Sequence, residues 1–306
     1  MNEEFERRLK ELTRSSTPLT SEIGDYILDS GGKRFRPMLV TFIGEAIGLL
    51  PEDVMPIAFT VELLHTASLL HDDVVDGTKM RRSRPTANQV FGDKQALLAG
   101  DYIFGSALEL TGRLGDMRVV SRMMRVVSQM AEGELKELEY ARAFHARKDV
   151  YEDIIYLKTA TLFEFCTCTP GILAGLDDKR LDALETYGRS VGMCFQVVDD
   201  IINLAPFEGD NKDAYNDIAE GKSTLPLIRL FEKNPGILRE VSALSDPMEK
   251  KDMVISHITR DILEDCVNTA QSYCDDAVSS LETAGLLTAR LRDIPHTIMA
   301  QMDGRF

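Results

Sequence analysis

The segment PEDVMPIAFTVELLHTASLLHDDVV, residues 51–75, constrains the fold more than any other stretch of the chain. Its apolar residues recur at helical spacing over a length that crosses a whole domain, so it reads as a core helix. Yet it closes on LLHDDVVDG, with three carboxylates, Asp72, Asp73 and Asp76, inside five positions. Residues four apart share a helix face, so Asp72 and Asp76 project the same way. At a separation of roughly 6 Å such a pair repels by about 2–3 kcal/mol, even at an effective dielectric near 20. On a water-facing acidic patch that repulsion is screened. Between Leu69–Leu70 and Val74–Val75 it is partly desolvated, and a compensating cation is expected.

The pattern nearly repeats in QVVDDIINL at 196–204, with Asp199, Asp200 and then Asn203. This knot also closes a long helical segment, DKRLDALETYGRSVGMCFQVVDDIINL, ahead of Pro206. Two acidic helix ends of this kind suit opposing walls of a common cavity. Helical periodicity dominates elsewhere as well, and no convincing two-residue alternation is present. KQALLAGDYIFGSALEL is apolar on nearly all faces and reads as a central buried helix. DVYEDIIYLKTATLFEFCTC runs as one helix into Pro170–Gly171, and three or so further helices follow TLPLIRLF. With no linker, short-period repeat or composition break, residues 1–306 are expected to form a single all-α domain, a helical bundle around a central cavity.

Charge narrows the partners. The 306 residues carry a net charge of −15, which argues against a nucleic-acid or anionic-membrane binder. An anionic substrate must then be held by local basic residues or by metal. The five cysteines show no paired CxxC spacing, and a reducing, cytoplasmic setting is their simplest home. MNEEFERRLK is no signal peptide, and the run LVTFIGEAIGLL is short and interrupted by Glu45, so a soluble protein without stable membrane insertion is expected.

Facing carboxylates without a Cys or His ligand set suit hard, oxygen-liking cations, Mg²⁺ above all. Basic residues cluster near the knots: Lys33, Arg34 and Arg36 in GGKRFRP, Arg81, Arg82 and Arg84 in KMRRSRP, then Lys158, Lys212 and Lys222. Acidic and basic groups placed together in this way describe a phosphate site bridged by metal.

GGKRFRP, HTASLLHDDVVD, the MRR pair, GDYIF, YLKTATLF, FQVVDDIIN and EGKSTLPLI occur in the order found in the trans-isoprenyl diphosphate synthases, or polyprenyl synthetases, and over residues 20–230 the chain resembles that family. The resemblance implies the isoprenoid synthase type of helical fold, a homodimer, and condensation of an allylic prenyl diphosphate with isopentenyl diphosphate. It implies that Lys33, Arg36, His65 and Arg82 bind the diphosphate of isopentenyl diphosphate. Asp72 and Asp76 would ligate two Mg²⁺ ions and Asp199 a third. Arg81, Lys158 and Lys222 would contact the allylic diphosphate, with Lys212 nearby, while Thr159 and Gln196 would line the reacting centre. The polar loop 207–222 is expected to close over the site and exclude water.

Ala67 and Ser68 precede Asp72 by five and four residues, which puts them about 6–7.5 Å below the metal face. No large ring blocks a growing chain there. The next stops are Leu64, one turn deeper, and Phe104 or Leu108 from the central helix. A medium-to-long product, hexaprenyl to octaprenyl, is the expectation, with a farnesyl or geranylgeranyl synthase as the alternative. A class I terpene cyclase needs only one diphosphate site and has no use for Lys33, Arg36 and Arg82. A non-catalytic regulatory subunit has no need of an intact first knot.

Several residues read more plainly. Arg34 and Arg84 are read as surface charges and His71 as a hydrogen-bonding neighbour of the knot. Glu62 and His65 form an E-x-x-H pair, the di-iron bundle signature, but no second pair exists, so Glu62 is read as structural. Asp73 lies about a quarter turn off the Asp72–Asp76 face and is expected to support the ligands. Departures from the family pattern are Asn203 in place of a third Asp, Ser83 and Tyr215 at usual Gly positions, Glu137 at a usual Gln position, and the ending MDGRF. They bear on product length and loop closure.

Overall fold

The computed structural model describes residues 3–82, 84–141, 143–204 and 216–302; Lys212, Tyr215, Ser83 and most of the 207–222 loop lie outside them. In chain order the elements are α1 (Glu3–Leu12), α2 (Pro18–Leu28), α3 (Phe35–Ala46), α4 (Pro51–Val75), β1 (Met80–Arg81), β2 (Arg84–Pro85), α5 (Ala87–Phe91), α6 (Asp93–Gly112), α7 (Met117–Tyr140) and α8 (Lys148–Ile155). A π-helical turn, Tyr156–Ala160, leads into α9 (Thr161–Leu173) and α10 (Asp178–Leu204). Then come α11 (Asn216–Glu220), α12 (Leu225–Lys233), α13 (Pro235–Ala243), α14 (Pro247–His257), α15 (Arg260–Ala284), α16 (Ala289–Met299) and a 3-10 turn at Ala300–Met302. The all-α expectation holds.

The chain forms two compact units, Met1–Met124 with Phe165–Leu176, and Arg125–Glu164 with Asp177–Phe306. In the first, α4 is the central element. It starts on Pro51, whose fixed φ suits the first helical turn and whose missing N–H has no partner there anyway. Glu52 and Asp53 follow and favour the positive end of the helix dipole. Val54, Ile57, Val61, Leu63 and Leu70 are all at most 2% exposed, each contributing about 1.5–3 kcal/mol by leaving water. By length and composition α4 could span a membrane, but 67% of its most apolar window is buried inside the protein, packed against α3 and α6. The close α3–α4 approach depends on Gly44, where a Cβ would lie 2.4 Å from Val54 Cγ2.

Two expectations change here. α6 is not buried all round: Leu98, Leu97 and Tyr102 are exposed, because only the Ala96–Ala99–Ile103–Ala107 stripe meets the core. KMRRSRP, read without strands, forms a two-residue antiparallel hairpin in which Met80 pairs with Pro85 and Arg81 with Arg84.

In the second unit α10 packs along α15, and small residues on α15 (Ala270, Cys274, Ala277, all fully buried) allow the close crossing. Tyr187 is buried here and its hydroxyl donates to the Leu291 carbonyl at 2.7 Å. A further core gathers Phe144, Ile218, Leu227, Leu230, Phe231, Val241, Val254 and Ile262. α14 is capped by Asp246, which accepts from the Met248 and Glu249 amides. The segment expected as one helix up to Pro170 is interrupted by the π turn and then continues through Pro170 to Leu173.

Candidate active site

In the first unit the last turn of α4 is intact. The Asp76 amide donates to the Asp72 carbonyl at 2.8 Å, which sets these two half-buried carboxylates on one face, as their spacing predicts. Asp73 turns the other way and is 1% exposed. Its Oδ1 accepts from Arg81 Nε and Nη2 at 3.0 and 2.8 Å, and its carbonyl accepts from Asn88 Nδ2. Burial pushes the Asp73 carboxyl up and the Arg81 guanidinium pulls it back. Asp73 therefore aims Arg81.

Arg82 follows with φ +51°, a left-handed conformation that a side-chain-bearing residue adopts only under local constraint. At Gly32 a Cβ would sit 3.2 Å from Arg82 Nη1 and 3.3 Å from Arg34 Nη1. The missing side chain of GGKR thus lets two guanidiniums converge. His65 lies among them. Burial, then the charges of Arg36, Arg82, Arg81 and Arg34, hold its imidazole well below 6.5, so it is neutral near pH 7 and can still accept or donate one hydrogen bond. Burial also pushes Arg36 down. Lys33 is exposed at the entry to α3. Ala67 and Leu64 are buried on α4, Ser68 Oγ donates to the His65 carbonyl at 2.9 Å, and Phe104 and Leu108 are half-buried on α6.

Arg34 is not the surface charge the sequence suggested. It is buried, pairing through Nη1 with Glu62 Oε1 at 2.6 Å and through Nε and Nη2 with both oxygens of Glu6 at 2.9 and 2.8 Å. A guanidinium two residues after a glycine pair is indistinguishable by pattern from a solvated one; only the fold brings Glu6 and Glu62 to it. Glu62 is structural, as read. Arg84 is exposed, donating to the Asp29 carbonyl and lying 4.9 Å from the Tyr26 ring centre. His71 Nε2 sits 3.1 Å from the Leu97 carbonyl and 3.3 Å from Asp101.

In the second unit Lys158 and Thr159 stand on the π turn, where one extra residue per turn re-aims side chains. Thr159 Oγ1 donates to Gln196 Oε1 at 2.9 Å, and Gln196 Nε2 donates to Asp200 Oδ1 at 2.9 Å. Tyr151 donates to Asp200 Oδ2 at 2.7 Å. Burial raises the Asp200 carboxyl and the Tyr151 hydroxyl. The two aspartates of the second knot therefore divide: Asp199 is exposed, whereas Asp200 is buried and fixes the Gln196 amide. Lys158 and Lys222 are paired with Glu134, Glu137 and Glu220. Asp217 is pushed up to about 6 by burial, with Lys222 opposing and Glu220, Glu137 and Asp199 adding to the rise. Glu134, Tyr151, Asp200 and Asp217 were missed as site residues. Only Asp200 left a signal, since neighbours on a helix point about 100° apart and one of the DD pair had to face inward.

Among the described residues no group of three or more His, Cys, Asp or Glu is gathered as a metal cage. The carboxylates instead come as the Asp72–Asp76 pair and as Asp199. Each of these fits Mg²⁺, which takes one or two carboxylates and completes its octahedron with water and phosphate oxygen.

A family profile described as polyprenyl synthetase matches residues 17–261. The octaprenyl diphosphate synthase of Haemophilus influenzae is 35% identical over 274 residues, 88% of this chain and 83% of the relative. A short chain isoprenyl diphosphate synthase of Methanothermobacter thermautotrophicus is 34% identical, covering 76% and 73% of the two chains. The crystal structure of a decaprenyl diphosphate synthase from Rhodobacter capsulatus superposes with a TM-score of 0.87 at 30% identity, over 97% of this chain and 94% of that one. By sequence and by its all-helical isoprenoid synthase fold, the chain belongs to the polyprenyl synthetase family.

Proposed function

We propose that the protein is a trans-prenyltransferase that joins an allylic prenyl diphosphate to isopentenyl diphosphate, head to tail, and releases diphosphate and an all-trans product one isoprene unit longer at each cycle. One observation carries this reading. A guanidinium cluster surrounds a neutral His65 on the helix that ends in Asp72 and Asp76, and a separate lysine pair, Lys158 and Lys222, meets at Glu137 in the unit that carries Thr159 and Gln196. Two anion sites are what a two-diphosphate reaction requires and a cyclisation does not.

Arg36, His65 and Arg82, with Lys33, bind the diphosphate of isopentenyl diphosphate. The family resemblance assigns Lys158, Lys222 and Arg81 to the allylic diphosphate, together with Lys212, which lies outside the described residues. Asp72 and Asp76 would hold two Mg²⁺ ions and Asp199 a third; when bound, these ions act as Lewis acids on the departing diphosphate. The allylic C–O bond breaks and its electron pair leaves with the diphosphate. The fixed Lys and Arg charges stabilise that anion as it forms. Thr159 and Gln196, fixed by Asp200 and Tyr151, present oxygen dipoles to the developing allylic cation. The double bond of isopentenyl diphosphate attacks C1 of the cation, and proton loss to the released diphosphate restores a trans double bond. No protein nucleophile is needed.

We assign a medium-to-long product, hexaprenyl to octaprenyl, since small Ala67 and Ser68 stand one turn below Asp72. The five cysteines, all buried and none in a disulfide, suit a cytoplasmic protein, and the family resemblance supports a homodimer. Purified protein with farnesyl diphosphate, excess isopentenyl diphosphate and Mg²⁺ is expected to release diphosphate and give a linear polyprenyl series by mass spectrometry. A stop after one addition would make it a short-chain synthase; cyclic hydrocarbon, or no product, would defeat the reading.

A further inference from the structure

The two lysines assigned above to the allylic diphosphate share a single carboxylate oxygen. Lys158 Nζ lies 2.5 Å and Lys222 Nζ 3.2 Å from Glu137 Oε2. Each has a further partner, Glu134 Oε2 at 2.7 Å for Lys158 and Glu220 Oε2 at 2.7 Å for Lys222. The contact is built, not incidental. Glu134 and Glu137 are three residues apart on α7 and share a face. At Gly133 a Cβ would lie 2.8 Å from Leu157 Cβ and Lys158 Cγ, so only glycine lets α7 come this close to the π turn. Glu134, Glu137, Lys158 and Lys222 are all only 16–22% exposed, which limits screening by water. Among the described residues three carboxylates, Glu134, Glu137 and Glu220, face the two ammoniums, and Asp217 is close enough to Lys222, Glu137 and Asp199 to interact with them electrostatically.

We propose that Glu137 is a positioning residue that sets the charge state in which the diphosphate is accepted. Its carboxylate holds Lys158 and Lys222 together and cancels their attraction for a bare diphosphate. Such an ion meets lysines already paired with carboxylates and gains little. A diphosphate complexed by divalent cations meets the same cluster with its charge neutralised or reversed, and both the carboxylates and the lysines then favour it. The inference rests on the assignment of these lysines to a diphosphate.

Titration calorimetry of inorganic pyrophosphate against the full-length protein, with EDTA or with Mg²⁺, tests it. Glu137→Gln keeps the side-chain shape and removes the charge. It is expected to raise metal-free pyrophosphate affinity by roughly tenfold, with a much smaller gain in Mg²⁺. Glu134→Gln, which relieves Lys158 alone, should move the same way by less, and Glu137→Asp should stay close to the parent. If pyrophosphate binds in Mg²⁺ but neither glutamine variant gains metal-free affinity, the role of Glu137 is overturned and the lysine assignment stands. If pyrophosphate binds under neither condition, the lysine assignment falls and this inference with it.

Discussion

Replacing Glu62 with glutamine removes one charge from a buried ion pair while keeping the side chain's shape and one accepting oxygen. The side chains of Arg34 and Glu62 are 8% and 5% exposed, and the guanidinium's other partner, Glu6, is 39% exposed. Stripping a buried pair of one member typically costs about 3–5 kcal/mol, since the remaining charge is left desolvated. Here Glu6 stays and accepts from both Nε and Nη2, so the expected loss is smaller, about 2 kcal/mol. For 306 residues the unfolding entropy is roughly 0.6 kcal/mol per kelvin, which turns that loss into a melting-point drop of about 3 °C. Thermal unfolding followed by far-UV circular dichroism reads it directly. Glu6→Gln is the internal control: a half-exposed carboxylate contributes about 0–1 kcal/mol, so its shift must be smaller. A Glu62→Gln shift below about 1 °C would refute the reasoning, because it would mean that desolvation of the pair consumes its attraction. A larger shift for Glu6→Gln than for Glu62→Gln would refute it too.

His65 supplies a pH test on the metal-free protein. Its folded imidazole titrates well below 6.5, so under acid the unfolded chain takes up a proton the folded one refuses; stability is intact above 6.5 and falls below it, by up to about 1.4 kcal/mol per pH unit. His65→Asn should flatten urea-midpoint profiles between about pH 5 and 6.5, and an unchanged slope would show that the imidazole is not held neutral. Asp217, raised to about 6, works in the opposite sense, gaining stability as pH falls from about 6 toward 3.8, but equally in both proteins, so it cancels in the difference. Tyr151→Phe leaves the buried Asp200 carboxyl with one donor fewer and should lower stability in urea unfolding by about 1.5–3 kcal/mol; a loss under about 0.5 kcal/mol would mean the hydroxyl does not stabilise that carboxylate. Ala67→Phe should shorten the product series by mass spectrometry, and an unchanged length distribution would place the chain-length wall elsewhere.

What could be read ahead of the fold was what local period encodes. The long helices α4 and α10, and the one-face placement of Asp72 and Asp76, follow from spacing alone. The π turn does not, because YLKTATLF has an uninterrupted helical pattern. What shapes this stretch is steric and distant in sequence: at Gly192 a Cβ would meet the Ala160 Cα at 2.6 Å, and Gly133 admits α7 against Leu157 and Lys158. Arg34 and Arg81 were equally opaque, since a guanidinium's partner is chosen by tertiary contact: Arg34 went to buried Glu62 and half-exposed Glu6, and Arg81 to the one aspartate of the first knot that turns inward. Glu137 shows the same limit from the other side. Its departure from glutamine was visible in the sequence, but its consequence depends on Lys158, 21 residues away, and on Lys222 meeting one of its oxygens. A neutral amide at that point could accept from the lysines without cancelling them. A carboxylate makes the lysines' positive charge unavailable until a ligand brings cations of its own, and this couples metal to diphosphate through a residue that need touch neither.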